Sequence, residues 1–262
     1  MPAIIEKVLA GLDADAPVRS VVVGAFWTAV VLETDPPRCG LASTLRAETG
    51  GPWPPVVQAG KLPLDSGRTL AELLRSERLL EASIGMAAAN ALLAGQVPET
   101  GTGAGSDFRE ANAEEVILAQ GAGRQVAIVG HFPFVERVRA AAAQCWVLEL
   151  RPAPGDLPAS KAEQVLPQAD VVALTSTSLL NHTADALIDL CRPEATLLLL
   201  GPSTPLTPGL FEAGIDVLSG TVVIDLETVL PSVSQGATFR QIKRNGGVQL
   251  VTWLKERTSN NT

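Results

Sequence analysis

VVALTSTSLLNH, at residues 171–182, runs from an apolar strand directly into a cluster of small and hydroxylated residues. The same pattern occurs in VAIVGH (residues 126–131) and in TLLLLGPSTP (residues 196–205). The apolar runs do not alternate with polar residues, which is typical of parallel strands buried on both faces. Open α/β sheets bind ligands in the crevice beyond the carboxyl ends of such strands. The three segments therefore predict a small-molecule site built from loops.

The composition argues against several classes of partner. A chain of 262 residues can form one large or two ordinary domains. Its net charge of −8 and its lack of tyrosine disfavour a nucleic-acid partner, which needs a basic face and aromatic side chains for stacking. No apolar stretch approaches the roughly 20 residues that span a bilayer, and the N-terminus lacks the apolar core of a secretory signal. Three cysteines without a CxxC pair are typical of a reducing compartment, so we expect a cytoplasmic protein without a membrane partner.

The first hundred residues predict a small α+β unit. Residues 3–12 are spaced like an amphipathic helix, and residues 20–24 and 28–33 are rich in β-branched side chains that favour two tightly joined strands. Prolines and glycines break the chain over residues 34–68, where at most one more short strand is expected. A short helix at 70–75 and a long, alanine-rich helix at 77–94 follow.

Residues 96–106 (QVPETGTGAGS) have the composition of a linker, and the pattern changes after them. Apolar runs at 126–130, 146–151, 171–174, 196–200 and 215–223 alternate with helical stretches of about ten residues. That alternation is the pattern of βαβ units and a parallel sheet. The predicted fold is therefore α/β, with a Rossmann-like parallel-sheet domain preceded by the smaller α+β domain.

The turn after the first parallel strand contains Gly130, His131, Phe132 and Pro133, where a dinucleotide-binding fold carries G-x-G-x-x-G. Only the first glycine is present, and the phenylalanines would obstruct the approach of a pyrophosphate, which disfavours NAD. Pro133 suits the first turn of the following helix. His131 is a candidate acid–base catalyst or metal ligand, and the alternative is a histidine that only caps the turn.

Glu149 and Arg151 close the second strand, about 20 residues after Gly130. A carboxylate at this position contacts ribose hydroxyls in nucleotide-binding folds. The alternative is that Glu149 and Arg151 face solvent or pair with each other.

The loop after the third strand is dense in hydrogen-bonding groups, namely Thr175, Ser176, Thr177, Ser178 and Asn181. Capping the next helix requires one hydroxyl, so the surplus predicts contact with a ligand. His182 follows at the start of that helix, and it is a second candidate metal ligand beside His131.

The loop after the fourth strand is GPSTP, formed by Gly201, Pro202, Ser203, Thr204 and Pro205. Two prolines hold the backbone while Ser203 and Thr204 present hydroxyls and amides at a helix start, which favours an anion or a carboxylate-bearing ligand. A plain rigid turn is the alternative.

Soft-metal chelation needs clustered thiolates, whereas Cys39, Cys145 and Cys191 are dispersed along the chain. A thiolate chelate within one chain is therefore not expected. A site of His131, His182 and carboxylates remains open, so the cofactor is unknown and a metal ion is one candidate.

Taken together, SIGMAAANAL (residues 83–92), VGHFP (residues 129–133), the loop of Asn181 and GPSTP resemble the putative heavy-metal chelation domain family. The resemblance covers nearly the whole chain. It implies an enolase-N-terminal-like domain over residues 1–100 and a Rossmann-like domain over residues 101–262. It also implies either metal chelation or a small heterocyclic metabolite held between the two domains. Residues 48–55 (ETGGPWPP) and His182 depart from the family's expected pattern.

The leading hypothesis is a protein that binds a polar or anionic, heterocyclic metabolite beyond the strand ends. It is an enzyme if His131 acts as an acid–base catalyst. The first alternative is a metal-binding or chelation protein, and the second is an NAD-type oxidoreductase. Alanine-rich helices are compatible with a homodimer. Asn90, a polar residue within the long apolar helix, either ties down a neighbouring loop or reaches the crevice.

Overall fold

The computed structural model describes residues 3–46, 55–97 and 107–255, which form two β-sheets with helices around them. The linker composition at 98–106 and the departure at 48–54 lie outside the described residues. The α/β class with a Rossmann-like sheet preceded by a smaller α+β unit is confirmed. No helix in the described ranges is long and apolar enough to cross a bilayer.

The N-terminal unit is a three-stranded antiparallel sheet, in the order β1-β2-β3, covered by helices. The predicted strand pair is confirmed, because β1 and β2 are neighbours and begin within two residues of the expected positions. A 3-10 turn at Glu72–Arg75 joins two of the helices. The elements are α1 (Ala3–Ala10), β1 (Val18–Val23), β2 (Trp27–Leu32), β3 (Arg38–Ser43), α2 (Gly67–Ala71) and α3 (Leu79–Leu93).

Helix α3 is buried on nearly every side, with twelve of its fifteen residues buried. A helix that is apolar all round belongs inside a protein, and α3 packs on β2 and β3 on one side and on the C-terminal unit on the other. Its alanines and Gly85 allow this close packing, because small side chains let backbones approach. The largest apolar cluster accordingly contains residues of both units.

The C-terminal unit is an eight-stranded sheet in the order β4-β11-β10-β9-β8-β5-β6-β7. The strands are β4 (Asp107–Glu110), β5 (Gln125–Val129), β6 (Gln144–Glu149), β7 (Leu157–Pro158), β8 (Val171–Thr175), β9 (Thr196–Leu200), β10 (Val217–Val223) and β11 (Val248–Leu254). The helices are α4 (Ala113–Gly121), α5 (Val135–Ala141), α6 (Ala162–Val165), α7 (Thr177–Leu180), α8 (Ala184–Asp189), α9 (Gly209–Glu212), α10 (Leu226–Ser234) and α11 (Phe239–Arg244).

The six strands from β5 to β10 are parallel, whereas β11 and β4 extend the sheet antiparallel to them. In space the parallel strands run β7-β6-β5-β8-β9-β10, which is the 3-2-1-4-5-6 order of dinucleotide-binding folds. The chain leaves β5 toward β6 and leaves β8 toward β9, in opposite directions. The topological switch point therefore lies between β5 and β8.

Candidate functional site

A cavity of about 340 Å³ opens beyond the carboxyl ends of β5, β6 and β8, at the switch point. This is where open α/β sheets bind ligands, and the volume lies within the range of small-molecule sites. The lining residues are Val129, Gly130, Leu148, Glu149, Leu150, Ala159, Ser160, Ala162, Glu163, Thr175, Thr177, Ser178, Asn181, Thr183, Ala186, Leu187 and Leu190. All of them belong to the C-terminal unit.

Six of the residues named from the sequence line this cavity. They are Gly130, Glu149, Thr175, Thr177, Ser178 and Asn181. The strand ends bring them together because parallel strands place their carboxyl termini at one edge of the sheet. This cavity lies within the C-terminal unit rather than between the two domains, since the N-terminal unit covers the ends of β9 and β10.

Gly130 is held in the left-handed region, at φ +104°. A Cβ atom here would lie 3.1 Å from Cβ of Thr175 and 3.2 Å from the ring of Phe132, so a larger residue would be strained by the backbone conformation and closely packed as well. The Phe132 ring stacks on that of Phe134, with centroids 5.2 Å apart. These rings occupy the turn in which a pyrophosphate would approach the backbone. Pro133 precedes α5, which begins at Val135 rather than at the proline.

His131 lies next to the cavity lining and contacts a buried carboxylate. Its Nδ1 is 2.7 Å from Oδ2 of Asp156, whose side chain is fully buried while that of His131 is 45% exposed. Arg139 and the backbone N–H of Ala153 also donate to Asp156. The contact orients the imidazole, as a carboxylate does for a general base. Sequence reasoning missed Asp156, because its Pro154-Gly155-Asp156 setting is that of an ordinary turn.

The pKa of Asp156 is lowered below its ordinary value of 3.8. Burial is the largest single influence and raises this pKa, but the hydrogen bonds from His131, Ala153 and Arg139 together outweigh it. Asp156 is therefore ionised at neutral pH and fastens the loop between β6 and β7 to the turn after β5.

We expect replacement of Asp156 with asparagine to cost about 2 kcal/mol of stability near neutral pH, because charged hydrogen-bonding groups lose their partner. The lowered pKa means that the carboxylate stabilises the fold fully above its unfolded-state pKa and loses this effect as pH falls through the folded-state pKa. The difference in free energy of unfolding between wild type and Asp156→Asn should thus shrink below about pH 4. Urea denaturation at a series of pH values measures it. Glu136→Gln, which removes an exposed partner of the same Arg139, is the control, and a pH-independent difference would contradict the prediction.

Glu149 is positioned by two backbone donors. Its Oε1 accepts from the N–H of His131 at 3.2 Å, and its Oε2 accepts from the N–H of Arg151 at 3.4 Å. Each carboxylate oxygen keeps acceptor capacity beyond this one bond. The turn after β5 and the end of β6 thus hold a carboxylate at the wall of the cavity.

The loop after β8 uses part of its hydroxyl surplus internally. Thr175 and Thr177 share a hydrogen bond between their hydroxyls at 2.9 Å, and Ser178 donates to the carbonyl of Thr175. The Oδ1 of Asn181 accepts hydrogen bonds from the hydroxyl and the N–H of Thr183. The N–H groups of the Asn181 amide can therefore donate to a ligand. Ser176 is buried beneath Gly201 and does not line the cavity.

His182 adopts φ +59°, and its Nε2 donates to the carbonyl of Leu74 at 2.9 Å. The side chain thus ties the loop after β8 to the N-terminal unit. The two histidines contact different parts of the molecule, His131 at the β6–β7 loop and His182 at the turn before α3.

The GPSTP loop lies under the N-terminal unit, away from the cavity lining. The Ser203 hydroxyl accepts from the N–H of Ser43 at 2.8 Å and is fully buried. The amide of Asn90 donates to the carbonyls of Ser203 and Leu41. Thr204 and Pro205 are buried too, whereas Gly201 and Pro202 are half-buried. In this geometry the GPSTP loop is a rigid turn packed against the N-terminal unit. Asn90 holds the loop in place and does not reach the cavity.

The described donors do not fit a soft-metal chelate. Burial raises the pKa of Cys39 to about 12 and those of Cys145 and Cys191 to about 11, so all three are protonated thiols at neutral pH. Within the residues that the structure describes, no group of three or more histidine, cysteine, aspartate and glutamate side chains is arranged to hold a metal ion.

The cavity also contains residues that sequence reasoning missed. Glu163 on α6 adds a second carboxylate, and Leu150, Ala186 and Leu187 supply much of the apolar wall. Leu150 directly follows β6, but Glu163, Ala186 and Leu187 lie on helices and not at the end of a strand. Helix packing brings the others to the cavity, which local patterns do not reveal.

Family models match both units. One, described as putative heavy-metal chelation, matches residues 112–252, and a second with the same description matches residues 5–93. An uncharacterised protein of Methanocaldococcus jannaschii is 28% identical over 200 residues, which cover 73% of this chain and 72% of that protein.

Two crystal structures of proteins with unknown function resemble this fold over nearly its full length. One, from Desulfitobacterium hafniense, has 28% identity and a TM-score of 0.78, and covers 96% of this chain and 98% of its own. The other, from Pyrococcus horikoshii, has 19% identity and a TM-score of 0.75, and covers 98% and 99% respectively, which shows the shared fold.

Proposed function

This chain belongs to the putative heavy-metal chelation family, and we propose that it binds a small organic molecule in the cavity at the switch point. The observation that carries the proposal is the convergence of Gly130, Glu149, Thr175, Thr177 and Asn181 on one cavity of about 340 Å³. A mainly apolar cleft with a few convergent polar groups is the usual form of a small-molecule site.

The charge of the lining residues limits the kinds of ligand that the cavity can bind. Glu149 and Glu163 are its ionisable side chains, and no lysine or arginine occurs among the lining residues that the structure describes. Two carboxylates repel an anion and accept hydrogen bonds from hydroxyl or amino groups. The proposed ligand is therefore polar and is uncharged or cationic rather than anionic, and the family resemblance favours a heterocycle. His131 is the acid–base candidate if a reaction occurs there, with Asp156 as a positioning residue.

A ligand-observed NMR screen tests this proposal, with ribonucleosides, pterins, purine bases and small carboxylates as probes. We expect at least one heterocycle to bind, and Ala186→Phe to abolish that binding because the new ring fills the cavity. Ala186 is exposed on α8 and lines the cavity, so the larger side chain does not overpack the core. Ala119→Phe, on the exposed face of α4, is the matched control. Binding that both variants leave unchanged, or no binding by any probe, refutes the proposal.

The family description supports metal binding as the second candidate function. Metal analysis of the protein purified without a histidine tag decides it. A bound content below about a tenth of an equivalent, with no pH-dependent uptake, rules it out.

An NAD-type oxidoreductase is the third candidate. The 3-2-1-4-5-6 strand order favours it, whereas the ring of Phe132 in the turn after β5 opposes pyrophosphate binding. We also propose the division into residues 1–100 and 101–262, with which the two family matches agree.

A further inference from the structure

The carboxylate of Glu149 is the most specific polar group of the cavity. It stands at the end of β6, the second parallel strand, and the N–H groups of His131 and Arg151 hold its two oxygens. Fixing both oxygens limits the rotation of the carboxylate, so it is a preorganised double acceptor. Such a group is suited to a ligand with two adjacent donors.

Two vicinal hydroxyls match this acceptor. Each hydroxyl can donate to one carboxylate oxygen, and hydrogen bonds to an ionised acceptor are stronger than neutral ones. An acidic residue at the end of the second strand binds ribose hydroxyls in dinucleotide-binding folds. The strand order around Glu149 is that of such a fold.

The turn after β5 does not offer a phosphate site. The ring of Phe132 lies against Gly130, and α5 begins only at Val135 and is seven residues long. Glu149 and Glu163 would repel a phosphate group in the cavity. The ligand therefore has the diol without the phosphates.

The remaining wall suits a flat ring. Leu150, Ala159, Ala162 and Leu187 give it apolar faces, and the amide of Asn181 gives a polar edge. The cavity volume of about 340 Å³ is near the lower end for ligand sites, which favours a single small molecule.

We propose that the cavity binds a nucleoside that carries an intact vicinal diol and no phosphate, with the diol on Glu149. This inference rests on the proposed function and names the substrate class of the same cavity. Glu149 accepts hydrogen bonds from the sugar hydroxyls, and the apolar wall packs against the base.

Isothermal titration with adenosine, guanosine, cytidine and uridine tests the inference. At least one of them should bind, and its 2′-deoxy analogue should bind about tenfold more weakly or worse, because one charged hydrogen bond is lost. The 5′-monophosphate should also bind more weakly than the nucleoside. Glu149→Gln should weaken nucleoside binding about tenfold, whereas Glu115→Gln, at an exposed position on α4, should leave it unchanged.

The deoxy comparison uses the wild-type protein, so it stands even if Glu149→Gln folds poorly. Equal affinity for the deoxy analogue, or tighter binding of the monophosphate, overturns the inference. The inference also fails if other heterocycles bind and Ala186→Phe blocks their binding, but no ribonucleoside binds. In that case the proposed function still stands. If no heterocycle binds at all, the proposed function fails as well.

Discussion

Replacing Gly40 with alanine is expected to lower the free energy of unfolding by about 3 kcal/mol, because the added methyl group overpacks the contact between a strand and a helix. Gly40 lies in β3, directly against α3. A Cβ atom there would lie 2.2 Å from the carbonyl oxygen of Ala87 and 2.2 Å from the nitrogen of Ala91. Both neighbours are backbone atoms, so no side-chain rotation relieves the clash, and strand and helix must move apart.

Urea denaturation measures this effect, with Gly123→Ala as the matched control. Gly123 has φ +69° and no atom within 4 Å of its Cβ position. The control therefore reports only the cost of the left-handed conformation, about 1 kcal/mol. If the two substitutions destabilise the protein equally, β3 and α3 do not pack as closely at Gly40 as these distances require.

Replacing Asn90 with alanine is expected to cost about 2 kcal/mol, because its amide bridges the two units. The Nδ2 donates at 2.8 Å to the carbonyl of Leu41 on β3 and at 3.2 Å to that of Ser203 in the GPSTP loop. Leu41 and Ser203 are buried, so water does not readily replace the lost donor. The loop should loosen from β3 together with the loss of stability.

Urea denaturation and amide hydrogen exchange over residues 201–205 measure the two consequences. Asn245→Ala, at the exposed end of α11, is the control and should change stability by less than about 0.5 kcal/mol. Unchanged exchange in the GPSTP loop of Asn90→Ala would show that Asn90 does not hold the two units together.

Much of the fold was predictable because the strands are marked locally. The apolar runs of β5, β8 and β9 match their observed bounds within a residue, since strands buried on both faces need continuous apolar sequence. Strands β4, β7 and β11 were not predicted. Strands β4 and β7 have four and two residues and lie at the two edges of the sheet, whereas β11 mixes polar with apolar residues, so none of the three carries that continuous pattern.

The candidate site was predictable only in part. Gly130, Glu149 and Thr175 stand at strand ends, and their common edge follows from the parallel arrangement. Ser203 also follows a strand, but α3 and β3 cover it, and the pattern around Ser203 gives no sign of that packing. Asp156 and Glu163 come from the connection between β6 and β8, whose path depends on packing.

The buried parallel strands, the polar ends of those strands and the dispersal of the cysteines are all encoded locally in the chain. These properties follow from local hydrophobicity and from residue type. Which strand ends remain accessible depends instead on how the two units pack together. The N-terminal unit packs on the ends of β9 and β10 and leaves those of β5, β6 and β8 to form the cavity. The physical reason is that packing between distant segments depends on matched shapes, such as β3 on α3 at Gly40, which no local pattern encodes.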